Sequence, residues 1–279
     1  MSVWAIATFT LREAVRRRVV LLAGLLTVTF LAVYSVGVWF GFSDIESSLE
    51  LTRAEQAMLV SFMLTGGLWS LNFMASLLAI FLAVGSISSE IDQGSIHAVL
   101  ARPIRRSEVV LGKYLGYLLL MTAFVAISSG AVLAIVAGMT QYVPDRFWAA
   151  PLLIVGGAAV LIALALAGST RLTTLGNGVA VFTLFTVGLV GGVMEQLGTL
   201  LGNAPLFDIG VLTTVLMPAR AFWDMASMHV QAPGAAASQF ASGPLGSLNP
   251  PSGWMLLLGG AYLLLALGAA VRLFDRRDI

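Results

Sequence analysis

The sequence predicts an all-α, polytopic membrane protein with six transmembrane helices. Of its 279 residues, 58% are hydrophobic and the mean hydropathy is +0.94, whereas soluble domains use roughly 45–50% apolar residues. A helix needs about 20 apolar residues to cross a bilayer core, and six stretches of the chain meet that requirement. The predicted spans are approximately Val19–Phe42, Met58–Ser88, Val109–Met139, Trp148–Gly168, Gly176–Leu197 and Trp254–Leu273.

The distribution of basic residues predicts that both termini are cytoplasmic. Lys and Arg are retained on the cytoplasmic side of a membrane much more than acidic residues are. With both termini inside, the cytoplasmic segments hold twelve of the 15 basic residues, namely Arg12, Arg16, Arg17, Arg18, Arg102, Arg105, Arg106, Lys113, Arg171, Arg272, Arg276 and Arg277. The other side then holds only Arg53, Arg146 and Arg220. The protein is therefore expected in the cell (inner) membrane.

Residues 1–18 predict an amphipathic helix that lies in the inner membrane interface. A second face holds Thr8, Arg12, Glu13 and Arg16, while the apolar residues that recur at helical spacing are Trp4, Ala7, Leu11, Ala14 and Val15. Arg16, Arg17 and Arg18 follow and would lie near anionic lipid headgroups. The alternative is that these arginines are a simple basic flank of the first span.

The stretch from Ser89 to Lys113 carries seven charges in 25 residues, in a chain that is only 10% charged. Within the loop, residues 89–108, Ser95 can cap a short helix that Pro103 ends. Its apolar face would hold Ile96, Val99 and Leu100. Such a helix, flanked by Arg102, Arg105 and Arg106, suits docking into a groove of a partner protein. The alternative is an ordinary loop whose arginines only fix the topology.

The next span is expected to begin directly after the loop. Ser107 would be its N-cap residue, and Glu108 would be an acidic residue in its first turn.

The composition excludes several kinds of chemistry within this chain. A phosphate-binding loop needs G-x-x-x-x-G-K-[ST], and the only Gly-Lys pair, Gly112 and Lys113, precedes a tyrosine. The chain has no cysteine, and its two histidines lie far apart, which argues against a transition-metal site. A net charge of +1 gives no support to nucleic-acid binding.

Four residues within the spans are candidates for a transport path or a dimer interface. Asn72 could line a path, although packing against a neighbouring helix is the alternative. Glu195 could act in gating or substrate binding, unless it lies at the membrane interface. Gly188 and Gly192 form a G-x-x-x-G pair that permits close helix approach and a dimer contact; Gly112 and Gly116 form another such pair.

Residues 198–253 form the longest segment outside the spans and are expected outside the cytoplasm. Pro205–Met217 is apolar but too short to cross, and Arg220, Phe222, Trp223 and Asp224 suggest an interfacial helix beyond Pro218. Residues 231–251 are rich in Gly, Ala, Ser and Pro, which predicts a flexible loop or a lid. The domain division is thus 1–18, 19–197, 198–253 and 254–279, the last being the sixth span and a cytoplasmic tail.

The charged loop also resembles a known family. The run E-x-x-x-G-S-I-x-x-x-L-x-x-P-I-x-R from Glu90 to Arg106, followed by L-G-K-Y-L-G at Leu111–Gly116, resembles the ATP-binding-cassette (ABC) type 2 permeases. The branch associated with maturation of multicopper enzymes and nitrous-oxide reductase is the most similar. The N-terminal W-x-I-A-x-x-T-L-R-E-A-x-R-R-R-V, A-G-S-T-R-L at Ala167–Leu172 and M-E-Q-L-G at Met194–Gly198 also fit.

The resemblance implies a role and partners for the chain. Such permeases pair as dimers, most simply homodimers, and each chain binds a cytoplasmic ATPase, giving two ATPase copies that hold ATP and Mg. This chain is expected to bind no cofactor, and residues 198–253 would contain re-entrant or interfacial helices that cap the outer side of the path. The loop would be the coupling helix in the ATPase groove, formed by Glu90, Gly94, Ser95, Ile96, Val99, Leu100, Arg102, Pro103, Arg105 and Arg106.

The resulting interpretation is a permease subunit that couples ATP hydrolysis to export or extraction of a hydrophobic or lipid-like substrate. A second interpretation is an ATP-driven mechanotransmitter that acts on a periplasmic partner in metalloenzyme maturation and moves no solute. A third, a membrane-embedded enzyme, is disfavoured because the spans carry no paired His, Asp and Glu constellation.

Overall fold

A computed structural model describes residues 3–47, 52–92, 105–232 and 252–276. In these ranges the chain is helical, with short turns and no strand. The helices are α1 (Val3–Val15), α2 (Arg18–Ser47), α3 (Arg53–Ala83), α4 (Ser88–Asp92), α5 (Arg106–Thr140), α6 (Ala149–Ser169), α7 (Thr174–Leu201), α8 (Ala204–Leu216), α9 (Ala219–Met228) and α10 (Gly253–Asp275).

Six stretches within the described ranges are long and apolar enough to cross a membrane, which confirms the predicted number of spans. They are Arg18–Ile45, Arg53–Glu90, Arg106–Thr140, Ala149–Ser169, Thr174–Leu201 and Gly253–Asp275. The second and third, at 38 and 35 residues, exceed what one crossing needs. Both therefore extend beyond the bilayer core or tilt within it.

Helix starts follow local capping chemistry, with one difference from expectation. Thr52 and Glu55 form a reciprocal capping box at the start of α3. Thr173 accepts a hydrogen bond from Gly176 N at the start of α7. The prediction that Ser107 caps α5 is wrong, because the helix begins two residues earlier than such a cap requires, with Arg105 as its N-cap and without a side-chain cap. Glu108 does lie in the first turn, as expected.

The helix α6 forms the centre of the bundle. It packs against α3, α5, α9 and α10, and more lightly against α7. Of the residues in the apolar membrane-length stretch of α6, 67% are buried inside the chain, whereas only 6% of those in α2 are buried. Because α2 contacts mainly α3 and α5, it lies at the edge of the bundle and exposes most of its apolar surface.

The N-terminal helix is confirmed as a helix, and part of its predicted apolar face is buried within the chain. Ile6, Ala7, Thr10 and Ala14 are buried, whereas Trp4 is 60% exposed. The buried face lies on α5 at two glycines. A Cβ atom at Gly112 would lie 2.6 Å from Ile6 Cβ, and one at Gly116 would lie 2.8 Å from the Ala7 carbonyl oxygen. The G-x-x-x-G pair on α5 thus receives α1 of the same chain.

The segment after the fifth span turns back into the bundle. The axes of α8 and α9 differ by 111° across a short break, the geometry of a broken span or a re-entrant pair. α8 packs along α7, while α9 packs on α6 and α10. Trp223, Arg220 and Asp224 are all buried. The bend and the burial fit the re-entrant alternative, and the interfacial position of α9 stays a prediction.

Close packing of α1 on α5 can be tested with Gly116→Val. The added side chain would meet the Ala7 carbonyl and Thr10, so we expect the free energy of unfolding to fall by about 1–3 kcal/mol. Gly130→Val is the matched control, because Gly130 lies on the same helix with no atom within 4 Å of the added Cβ. Unfolding of both variants in mixed micelles measures the difference. Equal stability of the two would show that α1 does not pack closely on α5.

Candidate functional site

The charged loop lies partly outside the described residues. Seven of its ten predicted site residues are in this part: Gly94, Ser95, Ile96, Val99, Leu100, Arg102 and Pro103. Glu90 lies in α4, Arg105 caps α5 and Arg106 is the first residue of α5. The structure therefore shows how the two flanks of the loop are held. We call the helix termini around these flanks the loop end of the bundle: the ends of α3, α6 and α10 and the starts of α5 and α7.

The first flank is held by a buried lysine. Lys113 Nζ lies 2.5 Å from Glu90 Oε1 and also donates to the Ser86 carbonyl oxygen at 2.7 Å. Lys113 is only 5% exposed. A buried ammonium needs an anionic or strongly polar partner. This ion pair therefore fixes α4, which leads into the loop, to the second turn of α5.

The second flank is held by Arg106. Its Nη1 donates to the Phe274 carbonyl at 2.8 Å and to the Asp275 carbonyl at 3.2 Å. Its guanidinium also lies 5.6 Å from the centre of the Phe274 ring. The last carbonyls of a helix have no partner within the helix. Arg106 supplies that partner for α10 and so joins the start of α5 to the end of α10.

A third connection involves Asn177, which sequence reasoning missed. Asn177 is fully buried, and its Nδ2 donates to the Val84 carbonyl at 2.8 Å and to the Ala165 carbonyl at 2.7 Å. Nearby, the Ser88 and Thr174 hydroxyl oxygens are 2.9 Å apart. α7 is thereby linked to the ends of α3 and α6. A lone amide in an apolar span is the signal that could have identified Asn177, as it did Asn72.

The predicted N-terminal anchor residues lie beside this region and are mostly exposed. Arg17 pairs with Glu13 at 2.7 Å, and Leu11 packs partly against the core. Arg16 and Arg18 are exposed. The interfacial location of α1 stays a prediction, since the helix also packs on α5.

A second polar cluster lies among the spans, away from the loop. Arg220 Nε and Asp224 Oδ1, one turn apart on α9, are 2.9 Å from each other, and their side chains are 6% and 8% exposed. The contact is an ion pair whose angle falls outside hydrogen-bond geometry, and these two atoms have no other hydrogen-bond partner. The sequence analysis predicted that Arg220 lies in a loop outside the cytoplasm. Its burial in the bundle is the main functional feature that sequence reasoning missed.

The four predicted path or interface residues gather around this ion pair. Asn72 and Gly188 line a cavity of about 20 Å³ together with Arg220 and Trp223. A Cβ at Gly192 would lie 2.5 Å from Arg220 Cζ. Glu195 is within electrostatic reach of both members of the pair. The close packing of Gly188 and Gly192 thus serves contacts inside one chain, and their role in a dimer stays a prediction.

Within the described ranges, no group of three or more His, Cys, Asp or Glu residues could hold a metal ion. Lys113, Arg106 and Asn177 each contact polar groups of another helix or helix end.

Six membrane-length helices and a bent helix pair define a multi-pass helical membrane protein. Residues 4–279 match the family described as "ABC-2 family transporter protein". The chain therefore belongs to the ABC-2 family of transporters, as the sequence resemblance implied.

Two relatives are each named a probable ABC transporter permease protein NosY. The protein from Pseudomonas aeruginosa is 33% identical over 179 residues, which cover 61% of this chain and 60% of that protein. The protein from Stutzerimonas stutzeri is 29% identical over 155 residues, which cover 53% of this chain and 51% of that protein. The similarity thus spans between half and two thirds of each relative's length. The family and these names support a permease subunit of an ABC transporter in the inner membrane, whose ATPase is typically a separate subunit.

Removing one partner of the buried ion pair should be strongly destabilising. In Asp224→Asn the Arg220 guanidinium stays buried without its counter-charge, which costs about 3–5 kcal/mol of unfolding free energy. The double change Arg220→Met with Asp224→Leu should recover most of this loss. Asp145→Asn, at an exposed acid between α5 and α6, is the control and should be neutral. Unfolding in mixed micelles measures all three, and a neutral Asp224→Asn would contradict the pairing.

Proposed function

We propose that this chain couples ATP hydrolysis by a separate cytoplasmic ATPase to export or extraction of a hydrophobic or lipid-like substrate. Residues 89–108 would dock in a groove of the ATPase, which binds the ATP and Mg. Two permease chains, as a homodimer, would carry two ATPase copies. The observation that carries the proposal is that both flanks of the loop are fixed to other helices, through Glu90–Lys113 and through Arg106 with the end of α10.

This arrangement gives a route by which motion of the loop would reach the spans. A push on residues 93–104 acts on α4 and on the start of α5, which Lys113 already joins. Arg106 passes the displacement to α10, and Asn177 passes it from α3 to α6 and α7. Helices joined in this way move as a unit, so small shifts at one end become rigid-body tilts.

The proposed orientation places the loop end in the cytoplasm. It brings Arg106, Arg171, Arg272 and Arg276 to the same end of the bundle as α1. Retention of basic residues on the cytoplasmic side supports this orientation. The bent pair α8 and α9 would then close the bundle towards the outside, with the Arg220–Asp224 pair held between the two ends.

The small cavity beside Arg220 supports a second candidate function. At about 20 Å³, the space that Asn72 and Gly188 line has room for at most one water molecule. The cavity is therefore too small to hold a lipid-like solute. A mechanotransmitter that passes ATP-driven motion to a periplasmic partner, without moving a solute, needs no solute path.

Docking of the loop is tested with Leu100→Asp in the permease purified with its ATPase. An acid on the apolar face should prevent burial in the ATPase groove, so we expect loss of co-purification and at least ten-fold less stimulated ATP hydrolysis. Val143→Asp is the matched control, because Val143 is 58% exposed between α5 and α6, at the opposite end of the bundle. Retention of the complex and its activity in Leu100→Asp would refute the docking proposal.

Transmission through Lys113 is tested separately with Lys113→Met, which keeps the length and apolar stem of the side chain. We expect the ATPase to bind with unchanged affinity, because the docking face is untouched. ATP-dependent removal of a fluorescent lipid from vesicles should fall at least five-fold, because α4 is no longer tied to α5.

Two outcomes of the vesicle assay would change the proposal. Full lipid removal in Lys113→Met would show that the ion pair transmits nothing. If the unmodified complex hydrolyses ATP under the control of the permease but removes no lipid, the result would favour the mechanotransmitter.

A further inference from the structure

An apolar groove lies between α2 and α3, near the loop end. Its volume is about 310 Å³. Its walls include Val19, Leu22 and Leu26 from α2 and Met74, Leu77 and Phe81 from α3. Since every lining residue is apolar, the groove suits a hydrocarbon chain and offers nothing to a polar solute.

The groove is formed by two facing helical stripes. The lining residues of α2 recur from position 19 to 26 at spacings of three and four, and those of α3 recur from 74 to 81 in the same way. Leu22 and Phe81 are 58% and 57% exposed, so the groove opens to the side, where the bilayer lies. Only 6% of the apolar stretch of α2 is buried, so α2 packs loosely on the bundle and leaves this space open.

Positive charge lies at one end of the groove. Arg18 begins α2 four residues before Leu22 and therefore lies on the same helix face, one turn away. Arg16 precedes it by two residues, and both side chains are exposed. Among the described residues, Arg17 is the member of this basic run that forms an ion pair, with Glu13.

We propose that this groove is a binding site for an anionic phospholipid. One acyl chain would occupy the space between α2 and α3, and the headgroup phosphate would lie at Arg18, with Arg16 adding positive charge. A guanidinium can donate two parallel hydrogen bonds to a phosphate, and anionic lipids attract basic residues at the membrane surface. The site does not depend on what the protein transports, because a bound lipid would complete the packing of α2 on α3.

The binding test uses the purified chain in detergent and native mass spectrometry. The probes are phosphatidylglycerol, phosphatidylcholine with the same acyl chains, and glycerol phosphate, which has the headgroup but no chains. We expect phosphatidylglycerol to bind, phosphatidylcholine to bind about five-fold more weakly, and glycerol phosphate not to bind. Binding of glycerol phosphate as tight as that of phosphatidylglycerol would overturn the acyl-chain part of the proposal.

Three variants locate the site. Arg18→Gln should reduce phosphatidylglycerol affinity about five-fold, to the level of phosphatidylcholine. Leu22→Trp should fill the groove and weaken both lipids at least ten-fold. Leu21→Trp is the matched control, because Leu21 is 67% exposed and lies outside the groove lining, so its lipid affinity should be unchanged. An unchanged melting temperature in each variant confirms that the fold is intact.

Two results would overturn the proposal. One is equal lipid affinity in Leu22→Trp and Leu21→Trp, which would place the lipid elsewhere. The other is a change of oligomeric state in Leu22→Trp without loss of lipid, which would identify the groove as a contact with a second copy. Neither result bears on ATPase docking, which the Leu100→Asp experiment tests independently.

Discussion

Buried carbonyl groups near helix ends need hydrogen-bond partners, and this constraint organises the loop end of the bundle. Three side chains meet it. Lys113 donates to the Ser86 carbonyl, Asn177 to those of Val84 and Ala165, and Arg106 to those of Phe274 and Asp275. A buried polar group that loses its partner costs about 1–3 kcal/mol, so breaking such contacts is costly. The bonds that satisfy the helix ends also join five helices around the proposed ATPase-binding loop.

The bent pair α8 and α9 places a different kind of polar contact deep in the bundle. Arg220 and Asp224 are buried together, and close approach at the glycines of α7 gives them room: Gly188 lies against Met217, and Gly192 against the Arg220 guanidinium. Ionisable residues among membrane spans are costly and usually functional. A pair held by packing from α3, α6 and α7 would sense a tilt of any of these helices.

Hydropathy predicted the six spans because the bilayer thickness fixes how many apolar residues a helix needs. It could not place Arg220, since the 13 residues of α8 are too short to cross and the sequence does not show the 111° bend that returns α9 to the core. The apolar face of α1 was predicted from residues such as Trp4, but the packing face was set by Gly112 and Gly116, far along the chain. Gly188 and Gly192 were predicted as a pair and Asn72 singly, and only the fold shows that all three lie beside Arg220.

If the helices at the loop end move as one unit, a disulfide between α4 and α7 should be harmless. The chain has no cysteine, so Ser88→Cys with Thr174→Cys introduces a single pair at hydroxyl positions that lie 2.9 Å apart. We expect this disulfide to form on oxidation and to leave ATP hydrolysis and lipid removal by the complex unchanged, because α4 and α7 already move together. Loss of either activity on oxidation, with recovery on reduction, would show instead that these helices must separate.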